Sequence, residues 1–321
     1  MKVGLIGDVM LGRMVGRAIE AGSARGVVAP EVVAIARESD VLVVNLECCI
    51  SARGERWPDP NKPFYFRAPP AAIEVLTRLG VDVVTLANNH ALDYGGDAFI
   101  DTLELLHAAG IATVGGGSDE SAARAAQVIT VDGFRLAVIG VTDHPEYYAA
   151  RVDRAGVAYA RFATGLPAWL RDEIAAARAQ ADAVLVSPHW GPNMTSRPVA
   201  YVRRAARELR AAGATLVAGH SAHVFHGIED CVFYDLGDFV DDYMRDPVLR
   251  NDLGIVVLVE LAPTGATEAV VVPIALEHCH TRRADDDAAE WVLSRMRGAC
   301  AELGTATRIE GRRLVVTLTA H

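Results

Sequence analysis

Lys2-Val3-Gly4-Leu5-Ile6-Gly7-Asp8, at residues 2–8, is an apolar run of strand length that closes abruptly on one carboxylate. A continuous apolar run of this length reads as a strand buried on both faces, as in a parallel sheet. The same punctuation recurs down the chain. Residues 41–44 run into Asn45-Leu46-Glu47, and 83–87 into Asn88-Asn89-His90. Residues 183–188 run into His189, and 215–219 into His220-Ser221-Ala222-His223. In open α/β sheets, sites form outside the carboxyl ends of strands, so five such ends would converge on one crevice.

Each end alone has a plainer reading. Asp8 suits a helix cap, Asn88-Asn89 a turn, and His189 a satisfied core histidine. His220 and His223, beside a glycine turn, can face one point. The coincidence of five ends favours a metal. Carboxylates with imidazoles suit one or two divalent Mn, Fe or Zn ions better than Ca or Mg. Two ions bridged by a carboxylate would supply a nucleophile and neutralise a phosphoryl transition state.

Outward from these strands, short apolar runs alternate with helical patterns. A helix is expected from about 97 to 109, and a hairpin over 127–131 and 135–141. A basic helix follows near 203–212, then strands at 232–236, 254–261 and 269–274. A helix over 285–303 and a strand over 312–318 form a C-terminal extension. The order suggests one mixed sheet with helices outside, parallel first and antiparallel later. Residues 48–70, with five prolines, form a long excursion of the kind that shapes binding sites. No repeat or linker divides the 321 residues, so one domain over 1–321 is expected.

The composition, 51% hydrophobic and 22% charged, predicts an ordinary packed core. A net charge of −10 argues against nucleic acid, which demands a basic face. No run approaches the roughly 18 apolar residues of a membrane span. Five cysteines form no spaced framework, which points to a reducing cytoplasm. The adjacent Cys48 and Cys49 are read as packing.

Gly-Asp-Val-Met-Leu-Gly-Arg at 7–13, Asn-Leu-Glu at 45–47, Ala-Asn-Asn-His with Asp-Tyr-Gly at 87–95, His-Trp-Gly at 189–191 and Gly-His-x-x-His at 219–223 resemble the CapA family. That family is named for poly-γ-glutamate capsule synthesis and is itself similar to calcineurin-like metallophosphoesterases. The resemblance implies a four-layer α/β/β/α sandwich with mixed sheets. It also implies that Asp8 serves a first metal, joined by His223, with Glu47 bridging. Asn89, His189 and His220 would hold a second metal. His90 would face the leaving group as a donor or general acid.

Three departures are visible. Met10 stands where the wider pattern has a histidine ligand, and a thioether suits these cations poorly. Gly237-Asp238-Phe239 replaces the common Gly-Asn-Phe, so Asp238 would bind metal, orient a histidine or contact substrate. The membrane anchor of capsule-linked members is not found. Arg13 and Arg67 are the expected anion contacts, with Asn45 placed beside them on the substrate side. The expected activity is metal-dependent hydrolysis of a phosphomonoester or phosphodiester in a small or medium-sized anionic substrate. Amide or γ-glutamyl chemistry, and a non-catalytic accessory role, are the rivals.

Overall fold

The computed structural model describes residues 1–318. Strand β1 (Lys2–Val9) lies inside the first sheet. To one side run β2 (Val41–Leu46), β3 (Val83–Thr85) and Ala112–Val114, all parallel. To the other, Leu253–Ala262, Gly265–Glu277, Arg313–Thr317 and Thr307–Glu310 follow in antiparallel pairs. A second sheet contains the hairpin Gln127–Val131 and Phe134–Thr142, then β4 (Ala183–His189), β5 (Leu216–Ala218), Val232–Phe233 and Ile228–Glu229.

The expected single mixed sheet is thus two. Apolar runs reveal buried strands but not which neighbour each takes, and the hairpin at 127–142 begins the second sheet. Alternation along each strand then builds the layers. Leu5, Val43 and Val83 meet Leu136, Val138 and Leu185 between the sheets. The opposite faces bury Ile6, Val44 and Val84 against helices Pro30–Ala36, Ile73–Leu79 and Gly95–Ala108. Ile139, Val184 and Val186 pack on helices Ala168–Gln180 and Ala200–Ala212. The result is a four-layer α/β/β/α sandwich with mixed sheets.

Helix Asp286–Glu302 starts at Asp285, whose side chain accepts from the Ala288 N–H at 2.9 Å. Its Val292, Leu293 and Met296 complete the core between the sheets. Among the described residues, no helix is long and apolar enough to cross a membrane.

One further short strand matters for the site. Strand β6 (Asp238–Val240) lies parallel to β1, with Asp238 opposite Asp8. Gly7 permits this approach: a Cβ there would stand 2.0 Å from the Gly237 carbonyl oxygen.

Candidate metal centre

The tips of β1, β2 and β6 lie side by side, because Asp8 is in register with both Asn45 and Asp238. The tip of β4 and the turn after β5 meet through a bridge between His189 and His220. The five strand ends picked out in the sequence therefore face one region. There, one ligand atom from each of Asp8, Glu47, His223 and Asp238 lies within 4.8 Å of the other three, all four residues buried.

Asp8 is held from two sides. Its Oδ1 accepts from Asn45 Nδ2 at 2.8 Å and lies 2.8 Å from His220 Nδ1. Its Oδ2 is 3.7 Å from His223 Nδ1. His223 Nδ1 is also 2.8 Å from Asp238 Oδ1. Glu47 Oε2 accepts from the Tyr243 hydroxyl at 3.3 Å, while Oε1 stands 3.6 Å from His189 Nε2 and 4.0 Å from His90 Nε2.

Several polar atoms here are buried without a hydrogen-bond partner among the described residues: Asp8 Oδ2, Glu47 Oε1, Asp238 Oδ2, Asn89 Oδ1 and both His189 nitrogens. Leaving such atoms unsatisfied costs about 1–3 kcal/mol each, more for charged groups. Oxygen and imidazole donors in this state fit a divalent transition-metal ion, which satisfies them together.

The electrostatics agree. Burial pushes the Glu47 and Asp238 carboxyls well above their usual range, and neighbouring carboxylates add to it. Burial would raise Asp8 too, but the hydrogen bond with His220 and the other imidazoles hold it well below that range. Burial also pulls His189 well below its ordinary value, so it is neutral and suited to coordinate.

His90 belongs to a separate network on the same rim. Its Nδ1 is 2.6 Å from Asp93 Oδ2, and its ring stacks on Phe66 with centroids 3.9 Å apart. Asp93 also accepts from the Phe66 N–H at 2.6 Å and the Tyr148 hydroxyl at 3.1 Å, with Lys62 Nζ 3.0 Å away. Burial pulls His90 down to about 4, against the pull of Asp93.

A family model described as bacterial capsule synthesis protein PGA_cap matches residues 2–243. The chain belongs to that family. A probable polyglutamine synthesis accessory protein of Mycobacterium tuberculosis is 33% identical over 272 residues, covering 79% of this chain and 70% of that protein. The PGA biosynthesis protein CapA of Bacillus subtilis is 31% identical over 290 residues, covering 85% and 74%. Among solved structures, the NAD nucleotidase of Haemophilus influenzae superposes with a TM-score of 0.44 at 12% identity, covering 92% of this chain and 56% of that one.

The PGA_cap match spans every residue of the centre. Within it, Asp8, Glu47 and His223 stand together, with His189 beside Glu47 and His220 beside Asp8. Of the three roles open to Asp238, its position among the candidate ligand atoms favours metal binding over substrate contact. Asn45 does not face substrate either: it is fully buried, donating to Asp8 and accepting from Asn88 Nδ2 at 3.0 Å. Arg13 and Arg67 line a neighbouring cleft. Met10 is buried, and its sulfur accepts the Gly12 N–H at 3.1 Å, so it offers nothing to a metal.

Two features were missed in the sequence. Buried Asp241 and Asp242 extend the acidic wall. Asp143-His144 forms a sixth strand end after Thr142, with the His144 ring centroid 5.1 Å from that of His189. The signal was present in Thr-Asp-His-Pro directly after an apolar strand.

Proposed function

We propose that this chain is a metal-dependent hydrolase of phosphomonoesters or phosphodiesters. The observation that carries the reading is the set of buried, unpartnered oxygens on Asp8, Glu47 and Asp238 converging with His223. Asp8, His223, Asp238 and Glu47 would hold one Mn, Fe or Zn ion; Glu47, Asn89, His189 and His220 would hold a second. A bound ion of this kind supplies Lewis-acid polarisation and a nucleophilic water near neutral pH.

The protein's own residues supply proton handling and orientation. With Nδ1 directed at Asp93, neutral His90 carries its lone pair on Nε2, the nitrogen facing Glu47. Nε2 takes up a proton from solvent water and, once charged, delivers it to the leaving oxygen, which departs as the alcohol. Asp93, Lys62 and Tyr148 keep the ring in place. Asn45 and His220 fix Asp8, and Tyr243 fixes Glu47.

The names of the relatives favour a second reading, amide or γ-glutamyl chemistry connected with a glutamate polymer. Met10, spent on a backbone N–H, favours a third, an accessory protein with a reduced site. Turnover of a chromogenic phosphodiester and a γ-glutamyl anilide in Mn²⁺ separates them. Phosphodiester cleavage that is lost in Glu47→Gln is the expected result. Cleavage of the anilide alone favours the second reading, and stoichiometric metal without turnover of either favours the third.

A further inference from the structure

A cleft of about 650 Å³ opens beside the metal centre, lined by Arg13, Arg17, Arg56 and Arg67. On a chain of net charge −10 this is a local reversal, since Glu20 is the lining's single carboxylate. Some arginines elsewhere pair with carboxylates, as Arg135 does with Asp182 and Arg313 with Glu38, and others are spent on backbone carbonyls, as Arg37 is on Arg78. In the cleft only Arg13 pairs with a carboxylate, its Nε 3.2 Å from Asp242 Oδ2. Arg17 reaches the Met14 sulfur at 3.6 Å. Arg56 lies over the Tyr65 ring at 5.2 Å, and Arg67 over Tyr94 at 4.2 Å, with Arg67 Nη1 donating to the Arg53 and Gly54 carbonyl oxygens and its other nitrogens left over. Stacking of this kind fixes the plane of a guanidinium while leaving donors on its edge.

The cleft is built against the centre. A Cβ at Gly12 would stand 3.0 Å from the Arg67 nitrogen, so the two walls touch backbone to backbone. Phe66 separates cleft from centre: one neighbour is the His90 ring at 3.9 Å, another the Arg13 guanidinium at 5.7 Å. The arginines thus lie one side chain away from His90.

We propose that this cleft binds a second anionic group, phosphate or carboxylate, on the substrate whose ester reacts at the metal centre. The inference rests on the hydrolase reading for the reacting group and on the arginines for the second. Planar guanidinium edges match both oxyanions bidentately.

Direct binding tests this without activity. Metal-free full-length protein is titrated calorimetrically with tripolyphosphate and, separately, with citrate. At least one should bind one-to-one, the stronger arm naming the group. Arg17→Ala/Arg56→Ala should weaken it by about tenfold or more, as loss of two charge-assisted contacts implies. Glu20→Gln should tighten it. The double variant should also raise KM for a bis-phosphorylated aryl ester relative to a monophosphorylated one. Absence of binding by both probes, or equal binding by the double variant, overturns the proposal. Ester turnover without arginine-dependent binding removes the cleft and leaves the hydrolase reading intact. Arginine-dependent binding in a protein that cleaves no ester upholds the anion site and removes the hydrolase reading instead.

Discussion

His223 Nδ1 lies 2.8 Å from Asp238 Oδ1, joining the turn after β5 to the strand beside β1. The turn that delivers His223 carries positive φ at Ser221 (109°) and at His223 itself (59°), a conformation non-glycine residues adopt only when their surroundings hold them. Asp238 is part of what holds it. The carboxylate also lies among the four converging ligand atoms. A residue that both orients a ligand and lies within reach of the ion has more effect on affinity than one doing either.

Asp238→Ala should therefore weaken Mn²⁺ binding by about 10–100-fold, read by calorimetry or metal analysis after gel filtration. Asp238→Asn, which keeps an oxygen for the ion, should retain more. Equal metal content in wild type and Asp238→Ala would exclude this carboxylate from the centre.

Gly7 controls the same geometry from the backbone. An added Cβ would meet the Gly237 carbonyl oxygen at 2.0 Å and its carbon at 2.7 Å, neither of which is a flexible side-chain end. Gly7→Ala should cost about 2–4 kcal/mol of stability and loosen metal binding by parting Asp8 from Asp238. Denaturant unfolding alongside metal titration checks both. A variant with wild-type stability would show that β1 and β6 separate freely.

Much of the centre was legible because a buried strand ending in Asp, Glu or His is conspicuous against apolar residues. Asp8, Glu47, His189, His220 and His223 were found that way. Asp238 is visible in the sequence as a departure with three open roles, metal binding among them, and only the parallel pairing of β6 with β1, which brings it opposite Asp8, narrows them. Asn45 was misjudged because its amide is consumed by Asp8 and Asn88, partners far apart in sequence. Asp143-His144 is hard to see in the sequence because the apolar run before it also forms half of a hairpin. The division into two sheets was illegible from strand patterns alone. Val138 and Ile139 are equally apolar, and only packing sends the first between the sheets and the second to the helices.

His90 acts on protons rather than on the ion in the reading proposed above. His90→Ala should keep metal and fold while lowering kcat by about 10²–10⁴-fold for poor leaving groups, with a smaller loss for nitrophenolate. Asp93→Asn should reproduce part of this, since the amide no longer fixes Nδ1–H. Loss of metal from His90→Ala would make it a ligand, and full activity on every substrate would remove it from the chemistry.

The remaining histidine of the Gly-His-x-x-His-x-x-His run, His226, lies outside the centre and gives a prediction about stability. Its Nε2 is 2.7 Å from the Thr195 carbonyl oxygen, a contact that requires a proton on Nε2. Its Nδ1 is buried without a partner, so the folded protein favours the neutral ring. Burial pulls it from 6.5 down to about 4, with Arg295 contributing in the same direction. The unfolded state therefore binds more protons between these values, and stability rises with pH across them. This contribution is complete above about pH 6.5 and is lost as the pH falls towards 4. The difference corresponds to about 3 kcal/mol. His226→Gln places an amide nitrogen near the position of Nε2, so it can still donate to Thr195 but does not titrate, and it should lose less stability than wild type between pH 7 and pH 4.5. Parallel urea unfolding at several pH values measures the gap. Because other buried histidines titrate in both proteins, the gap isolates His226, and a gap independent of pH would show that its ring charges without cost in the fold.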